Sequence, residues 1–447
     1  MNVTVIYNMR FKVMIYALIA FIFSAGVVAP ENLFAEEYSL EDMYRIALER
    51  AERIKISEED LYIAEREKEK AVSVLFPRLS AFWDYTKFSE EKSATFAERF
   101  ITLQPDYSTS WGLKLDQSMS LSGREITALK ISKENIKRSE YDLYAVTEEY
   151  LLSVASAYYD ILRAKRAFEI AKANAERLTK HRDAATTRLK VGEVTKTDLL
   201  RAEAELSGAK SDMVRAENSL KLAKAILARI AGLTGDYEIK EPGVTEPLEG
   251  YVLPYLKEKA LSERAELKSM NLQKKIAEDQ VKYTKGAYWP DISIEGAYVG
   301  RDEDPASPFF LKEAIYGKLM LNFPFFEGGL RRAEVNEAKA RQRQAGLSYE
   351  DLIKTINIEV ENAYLEFQTQ KMVIKSIEDE VTFARDNYNA VSKQYEFGLA
   401  NSIDVIDANT LLLTSERQLS DAGYFYQLSI LRLKRVTGTL LKTVMSE

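Results

Sequence analysis

Two long stretches of this chain contain almost nothing that interrupts a helix. None of its ten prolines lies between Pro105 and Pro242, and none follows Pro324. Glycine is absent between Gly123 and Gly192, and only Gly346 falls between Gly329 and Gly398. Proline breaks helix interiors, so both gaps permit very long helices. A heptad fills the first: Leu143, Tyr150, Ala157, Ala164, Ala171, Leu178 and Ala185, with Val154, Ile161, Phe168, Ala175 and Leu189 four residues on. Charged residues occupy much of the remainder, as in "RAKRAFEIAKANAERLTK". This is a coiled-coil pattern, and its alanines predict close helix approach.

The second gap repeats the first. Shifting by 206 residues maps Gly123 to Gly329, Ala157 to Ala363, Gly192 to Gly398, Asp198 to Asp404 and Gly232 to Gly438. It also carries the stripe onto Tyr349, Ile356, Ala363, Ile377, Ala384 and Val391. Upstream the offset becomes 213, pairing Ala47 with Ala260 and Pro77 with Pro290. This is an internal duplication. The predicted first repeat covers 36–232: a helix at about 39–75, strands within about 78–121, a long helix at 124–190 and another at 196–231. After a linker at 233–251, the second covers 252–438 with a helix at about 252–287, strands within about 290–326, a long helix at 330–396 and another at 402–436; 439–447 is a tail. At about 1.5 Å per residue each long helix runs ~100 Å, and the two moderate helices laid end to end match it.

The segments between helices alternate with period two. "WGLKLDQSMSL" sets Trp111, Leu113, Leu115, Met119 and Leu121 against Lys114, Asp116, Ser118 and Ser120; "DISIEGAY" and "AIYGKLMLNFPFF" do likewise. One apolar and one polar face over about ten residues suits a lipid-facing barrel wall. The same pattern fits two soluble hairpins packed on helices. The stretches 89–107 and 301–313 read as polar external loops.

Composition removes several functions. The net charge of −7 and pI near 5.4 argue against nucleic-acid binding. There is no cysteine, hence no disulfide, thiolate metal site or cysteine nucleophile. The single histidine, His181, lies in a polar-faced helix and reads as a surface or interface residue. No constellation of an enzyme, metal or cofactor site appears. Arg10 and Lys12, the apolar run Val13–Phe23 and the small residues after it have the order of a secretory signal, cut after Ala35; the alternative is a membrane anchor.

The turns between long and moderate helices read "LKVGEVTKTDLLRAE" and "YEFGLANSIDVIDAN". Gly192 and Gly398 let the chain reverse. Thr195 and Asn401 are N-caps, with Asp198 and Asp404 as acids at the third helical position, where the helix dipole favours them. Asp407 lies past that first turn, and its counterpart is Arg201. What both copies share points to structure; Asp407, present in one alone, points to function.

With "FPRLSAF", "YWPDISIEGAY" and "LNFPFFEGGLRRAEV", these two turns make five motifs in duplicated order. Through them the chain resembles the TolC-type outer-membrane efflux protein family over essentially its whole mature length. The resemblance implies a mainly α fold of long antiparallel coiled-coil helices in two repeats, each with a two-strand β-hairpin. It implies a homotrimer whose helices form a tunnel across the periplasm and whose strands form a shared twelve-stranded outer-membrane barrel. It further implies a passive exit duct for efflux or type I secretion, with a periplasmic adaptor and an inner-membrane pump as partners. By position, Asp404 and Asp407 match the aspartate pair ringing the periplasmic entrance. Gly192, Asp198, Arg201, Tyr395 and Gly398 fall at the tip turns and closing contacts. Arg201 is read either as facing Asp404 or Asp407 of a neighbouring turn or as a solvated charge. Family members carry an arginine where this chain has Ala400, so its closing network must be weaker or rebuilt. The competing reading is a periplasmic or cell-surface coiled-coil scaffold or adaptor without a channel.

Overall fold

The computed structural model describes residues 36–96, 99–233, 235–242, 252–307 and 310–446; the expected signal, 1–35, lies outside the described residues. In chain order the elements are β1 Glu36–Tyr38, α1 Leu40–Arg50, α2 Glu52–Ser73, β2 Arg78–Lys87, β3 Lys92–Phe96, β4 Arg99–Gln104, β5 Tyr107–Ser120, α3 Arg124–Lys190 and α4 Lys196–Ala231. There follow β6 Tyr237–Ile239, α5 Leu253–Glu263, α6 Ala265–Gly286, β7 Asp291–Asp304, β8 Glu313–Asn322, α7 Leu330–Glu396, α8 Ser402–Val436 and α9 Leu440–Ser446. The two long helices each have 67 residues and are continuous.

The helices form one layer. On the strand side of the middle, α2, α3, α6 and α7 lie side by side; on the other side the order is α4, α3, α8, α7. Thus α3 and α7 run the full length while shorter helices share their flanks. The heptad residues Val154, Ala157 and Ile161 are buried with Met43, Leu227 and Leu428. Their counterparts Val360, Ala363 and Phe367 pack with Leu256, Ile430 and Leu433. Both clusters lie at the middle of the layer, where the helix ends meet.

Each expected moderate helix at 39–75 and 252–287 is two helices. The chain bends at Ala51 (φ −62°, ψ 117°) and at Arg264 (φ −59°, ψ 125°), equivalent positions under the 213 offset. No proline or glycine marks these bends; packing makes them. Gly232 (φ 68°), ending α4, sits against Arg50, whose Nη1 donates to the Gly232 carbonyl at 3.1 Å. Gly438 (φ 68°), just past α8, touches the backbone of Glu263 and Arg264, and an added Cβ would lie 3.0 Å from the Arg264 nitrogen. Arg264 is buried and pairs with Glu266 at 3.0 Å and with Glu359.

The expected linker and tail also carry structure. β6 pairs in parallel with β1, and α9 packs on α3 and α8. Both lie at the same middle level. Glu148 of α3 is buried there and accepts the Leu441 N–H at 3.2 Å.

The sheet has the order β2-β5-β7-β8, antiparallel throughout. One stretch expected to be a loop holds a separate hairpin, β3–β4, and β7 extends through Asp304. Register separates the faces. Leu79, Leu115, Gly296 and Gly317 fall on one row; Trp83, Trp111 and Gly300 on another; Leu113, Tyr298 and Ile315 between them. This apolar face is bare: Trp83 is 69% exposed, Leu319 74% and Ile315 83%. The opposite face carries Arg78, Lys114, Asp116, Glu295 and Lys318, with Lys114 Nζ bridging Asp116 at 3.0 Å and Glu295 at 3.2 Å. β2 and β8 are free edges within one chain. Among the described residues no helix is long and apolar enough to cross a membrane.

Two consequences are measurable by melting of the detergent-purified protein. Gly438→Ala forces a side chain into left-handed backbone and should cost about 1–2 kcal/mol, whereas Gly346→Ala, in mid-helix with open space around it, should be neutral or stabilise by about 0.5–1 kcal/mol. Burial raises the Glu148 carboxyl from 4.5 to about 7, against the Leu441 hydrogen bond and the nearby arginines. The folded state therefore favours its neutral form, and its charge costs stability as pH rises from 4.5 towards 7. Glu148→Gln should raise the melting temperature by a few degrees above pH 7 and change little below pH 4.5.

Candidate functional site at the coiled-coil tip

The helical layer ends in two tight turns, one between α3 and α4 and one between α7 and α8. Gly192 (φ 79°) and Gly398 (φ 75°) make the reversals in left-handed conformation, which costs glycine nothing. The next helix begins in each case with a reciprocal capping box. Asp198 N–H donates to Thr195 Oγ1 at 3.2 Å, and Thr195 N–H to Asp198 Oδ2 at 2.9 Å. In the second turn Asp404 N–H donates to Asn401 Oδ1 at 3.0 Å, and Asn401 N–H to Asp404 Oδ2 at 2.9 Å. The Thr195 hydroxyl and N–H hold the Asp198 carboxyl below its usual value, with Arg201 adding to the effect.

The other sequence-derived candidates separate. Asp404 and Asp407 are both exposed, one turn apart on α8, and Asp407 takes no part in the cap. Arg201 is exposed, and among the described residues no carboxylate of this chain lies within ion-pair distance of it. Asp198 and Tyr395 make no hydrogen bond in this chain; they act on each other only through charge. Tyr395 is instead buried, 3% exposed, at the junction of α7 with α3.

Four residues of α3 hold this junction and the adjoining start of α8, and of these the sequence singles out only His181. Arg188 lies over the Tyr395 ring at 4.6 Å and donates from Nη2 to the Glu396 carbonyl at 2.7 Å, capping the end of α7. His181, read as a surface or interface residue, lies buried in this helix–helix contact, 5.0 Å from the Tyr395 ring centre, with Nε2 2.9 Å from Ser402 Oγ. One turn further, Arg177 Nε donates to Asn409 Oδ1 at 3.0 Å, while Asn409 Nδ2 donates to Asn174 at 2.7 Å. A row of polar contacts thus joins the first repeat's long helix to the second repeat's α8. The heptad could not reveal it, because the row runs along a second face of α3, beside the stripe that packs on α4.

The caps make a clean distinction. Asp404→Ala removes half of this capping box and should speed amide exchange in the first turn of α8 by up to about fivefold, since losing a cap costs about 1 kcal/mol. Asp407→Ala should leave that exchange unchanged.

The outer membrane efflux protein family matches this chain twice, over residues 43–233 and 256–439. The outer membrane protein TolC of Escherichia coli is 23% identical over 390 residues, covering 83% of this chain and 76% of its own length. The alkaline protease secretion protein AprF of Pseudomonas aeruginosa is 22% identical over 300 residues, covering 66% of this chain and 62% of its own. Among solved structures, the Campylobacter jejuni CmeC outer membrane channel superposes with a TM-score of 0.80 at 16% identity, over 93% of this chain and 91% of that one. The double match, one per repeat, falls on the segments whose glycines, caps and heptads repeat, and this chain belongs to the outer membrane efflux protein family.

Proposed function

We propose that this chain is one third of a passive exit duct, in which three copies close a barrel in the outer membrane and continue it as a helical tunnel through the periplasm. The observation that carries this is the open sheet: its bare apolar face suits lipid, its other face suits water, and its two edges are unpaired. Unpaired backbone edges are prohibitively costly in hydrocarbon, so the edges must meet edges of further copies. Two copies would give eight strands, whose interior side chains fill. Three give twelve and leave a lumen, the number implied by the family resemblance.

The helical layer supports the same closure. Its edge helix α7 exposes Ile358, Leu365 and Met372 at seven-residue spacing. The opposite edge exposes Ile56 and Ile63 on α2 and Val214 and Leu222 on α4. These are different surfaces, so copies would join head to tail and close into a ring. A scaffold without a channel would leave both stripes and the apolar sheet face in water.

At the tip such a ring places six carboxylates, Asp404 and Asp407 from each copy, around one opening. Two like charges about 4 Å apart repel by ~1 kcal/mol in water and by more at lower effective dielectric, so the ring attracts cations. The duct has no engine of its own in this reading: an inner-membrane pump supplies cargo, and a periplasmic adaptor connects the two. The AprF likeness favours secretion of polypeptides as one use, and the family name favours efflux.

Light scattering corrected for detergent should give three chains per particle; a stable monomer with an ordered sheet would overturn the barrel. In planar bilayers, Asp404→Ala combined with Asp407→Ala should lower cation selectivity and relieve block by multivalent cations.

A further inference from the structure

A row of polar contacts, alongside helix packing, holds the second repeat's tip to the first, with Arg177 also pairing with Glu416 at 3.4 Å. Below the middle of the layer, α3 touches α8 through Asn174, Arg177 and His181, and touches the end of α7 through Arg188. His181 and Arg188 are the two nearest the turns, and both contact the Tyr395 ring, His181 with its ring centre 5.0 Å away and Arg188 with its guanidinium 4.6 Å away. Separating the α7–α8 pair from α3 at the tip means breaking these contacts.

We propose that His181 and Arg188 form a proton-sensitive latch, clasping Tyr395 and Ser402, whose release by protonation of His181 lets the α7–α8 tip swing away from α3. The consequence for conduction rests on the duct reading above; the movement itself does not. The latch is built on residues other than Asp404, Asp407 and Ala400, and it supplies a closing contact from α3 where the chain has no arginine at position 400.

The chemistry follows from burial. Neutral imidazole packs against Tyr395 and exchanges one hydrogen bond with the Ser402 hydroxyl; the protonated ring is donor-only at both nitrogens and carries a charge into a site 6% exposed. The surrounding groups do not offset that charge. Tyr395 comes from α7 and Ser402 from α8. Arg188, on α3 itself, is a cation, and Asp404 at the start of α8 is exposed and engaged in its cap. On the side towards α4, Leu178 of the same α3 stretch packs on Leu206 and Ala209, which are apolar. Asp198 acts on Tyr395 through charge alone and is itself held by Thr195.

Burial keeps the His181 imidazole below its ordinary value of 6.5 while the latch is shut. A group depressed in this way contributes its stability above the free value, and that stability is lost as pH falls below about 6.5. The open tip gains over the shut one by up to about tenfold per pH unit for each copy, until the lowered value is passed.

The chain has no cysteine, so labels can be placed at will. Val191 and Leu399, 68% and 79% exposed on the two turns, are suitable sites. Spin labels on Val191→Cys and Leu399→Cys, in purified protein with labelled chains diluted among unlabelled ones, should report a longer distance at about pH 5.5 than at about pH 8. His181→Gln keeps a hydrogen-bonding partner for Ser402 but cannot titrate in this range, and its distance should not respond to pH. Ser402→Ala should move the midpoint of the parent's transition to higher pH, because the neutral ring loses its partner. Arg188→Lys should lengthen the distance at every pH while keeping the profile. An unresponsive parent, or an acid response retained in His181→Gln, overturns the latch. If His181→Gln does not fold, the direction of the Ser402→Ala shift decides. If labels move as expected but bilayers show no channel, the latch stands and the duct reading fails.

Discussion

An edge strand leaves a row of N–H and C=O groups without partners, and a hydrocarbon environment supplies none. In this chain β2 and β8 are such edges, on a sheet whose one face is a band of bare tryptophan, leucine and isoleucine. The face demands lipid and the edges forbid it to a single chain. In the proposed assembly, oligomeric closure resolves the conflict. Long helices that lie in one layer, rather than around a central core, expose stripes on both flanks for the next copy. Away from its middle the layer has little core of its own, and in the proposed assembly neighbouring copies would supply that burial.

The duplication explains how one layer keeps its thickness. In each half a long helix is flanked by two shorter ones, and these meet at the middle. There the bends at Ala51 and Arg264 receive the glycine-ended termini of α4 and α8. The same level holds the β1–β6 pair, α9 and the buried Glu148, which add to the helices there. A carboxyl raised to about 7 in that network tightens the middle as pH falls, while the histidine at the tip acts in the opposite sense.

Symmetry between the halves also sorts the tip residues. Gly192 and Gly398, Thr195 and Asn401, Asp198 and Asp404 occupy matching geometry and do matching work. Asp407 and Arg201 break the match and remain exposed, as do charges whose partners lie outside the chain or in solvent. Tyr395 breaks it differently. It is clasped from α3 by residues on a face that the α3–α4 pairing does not use.

The sequence by itself determined the fold class, the two-copy organisation, the glycine reversals and the capping acids. Each of these depends on residues near one another in the chain: a heptad spacing, a positive φ, a side chain three residues from its backbone partner. Family membership was legible for the same reason, through short motifs in a repeated order. Only the tertiary structure decided the bends at Ala51 and Arg264, which no local residue requires and which arise because another helix ends there. It alone found the β3–β4 hairpin, whose strands are too short and polar to stand out, and the β1–β6 pair, whose partners lie some two hundred residues apart. It also moved His181 from a polar helix face into a buried contact with Ser402, 221 residues away. A helix seventy residues long has faces enough for several neighbours, and periodicity reports the strongest of them; which weaker face meets which helix is fixed only when the layer is assembled.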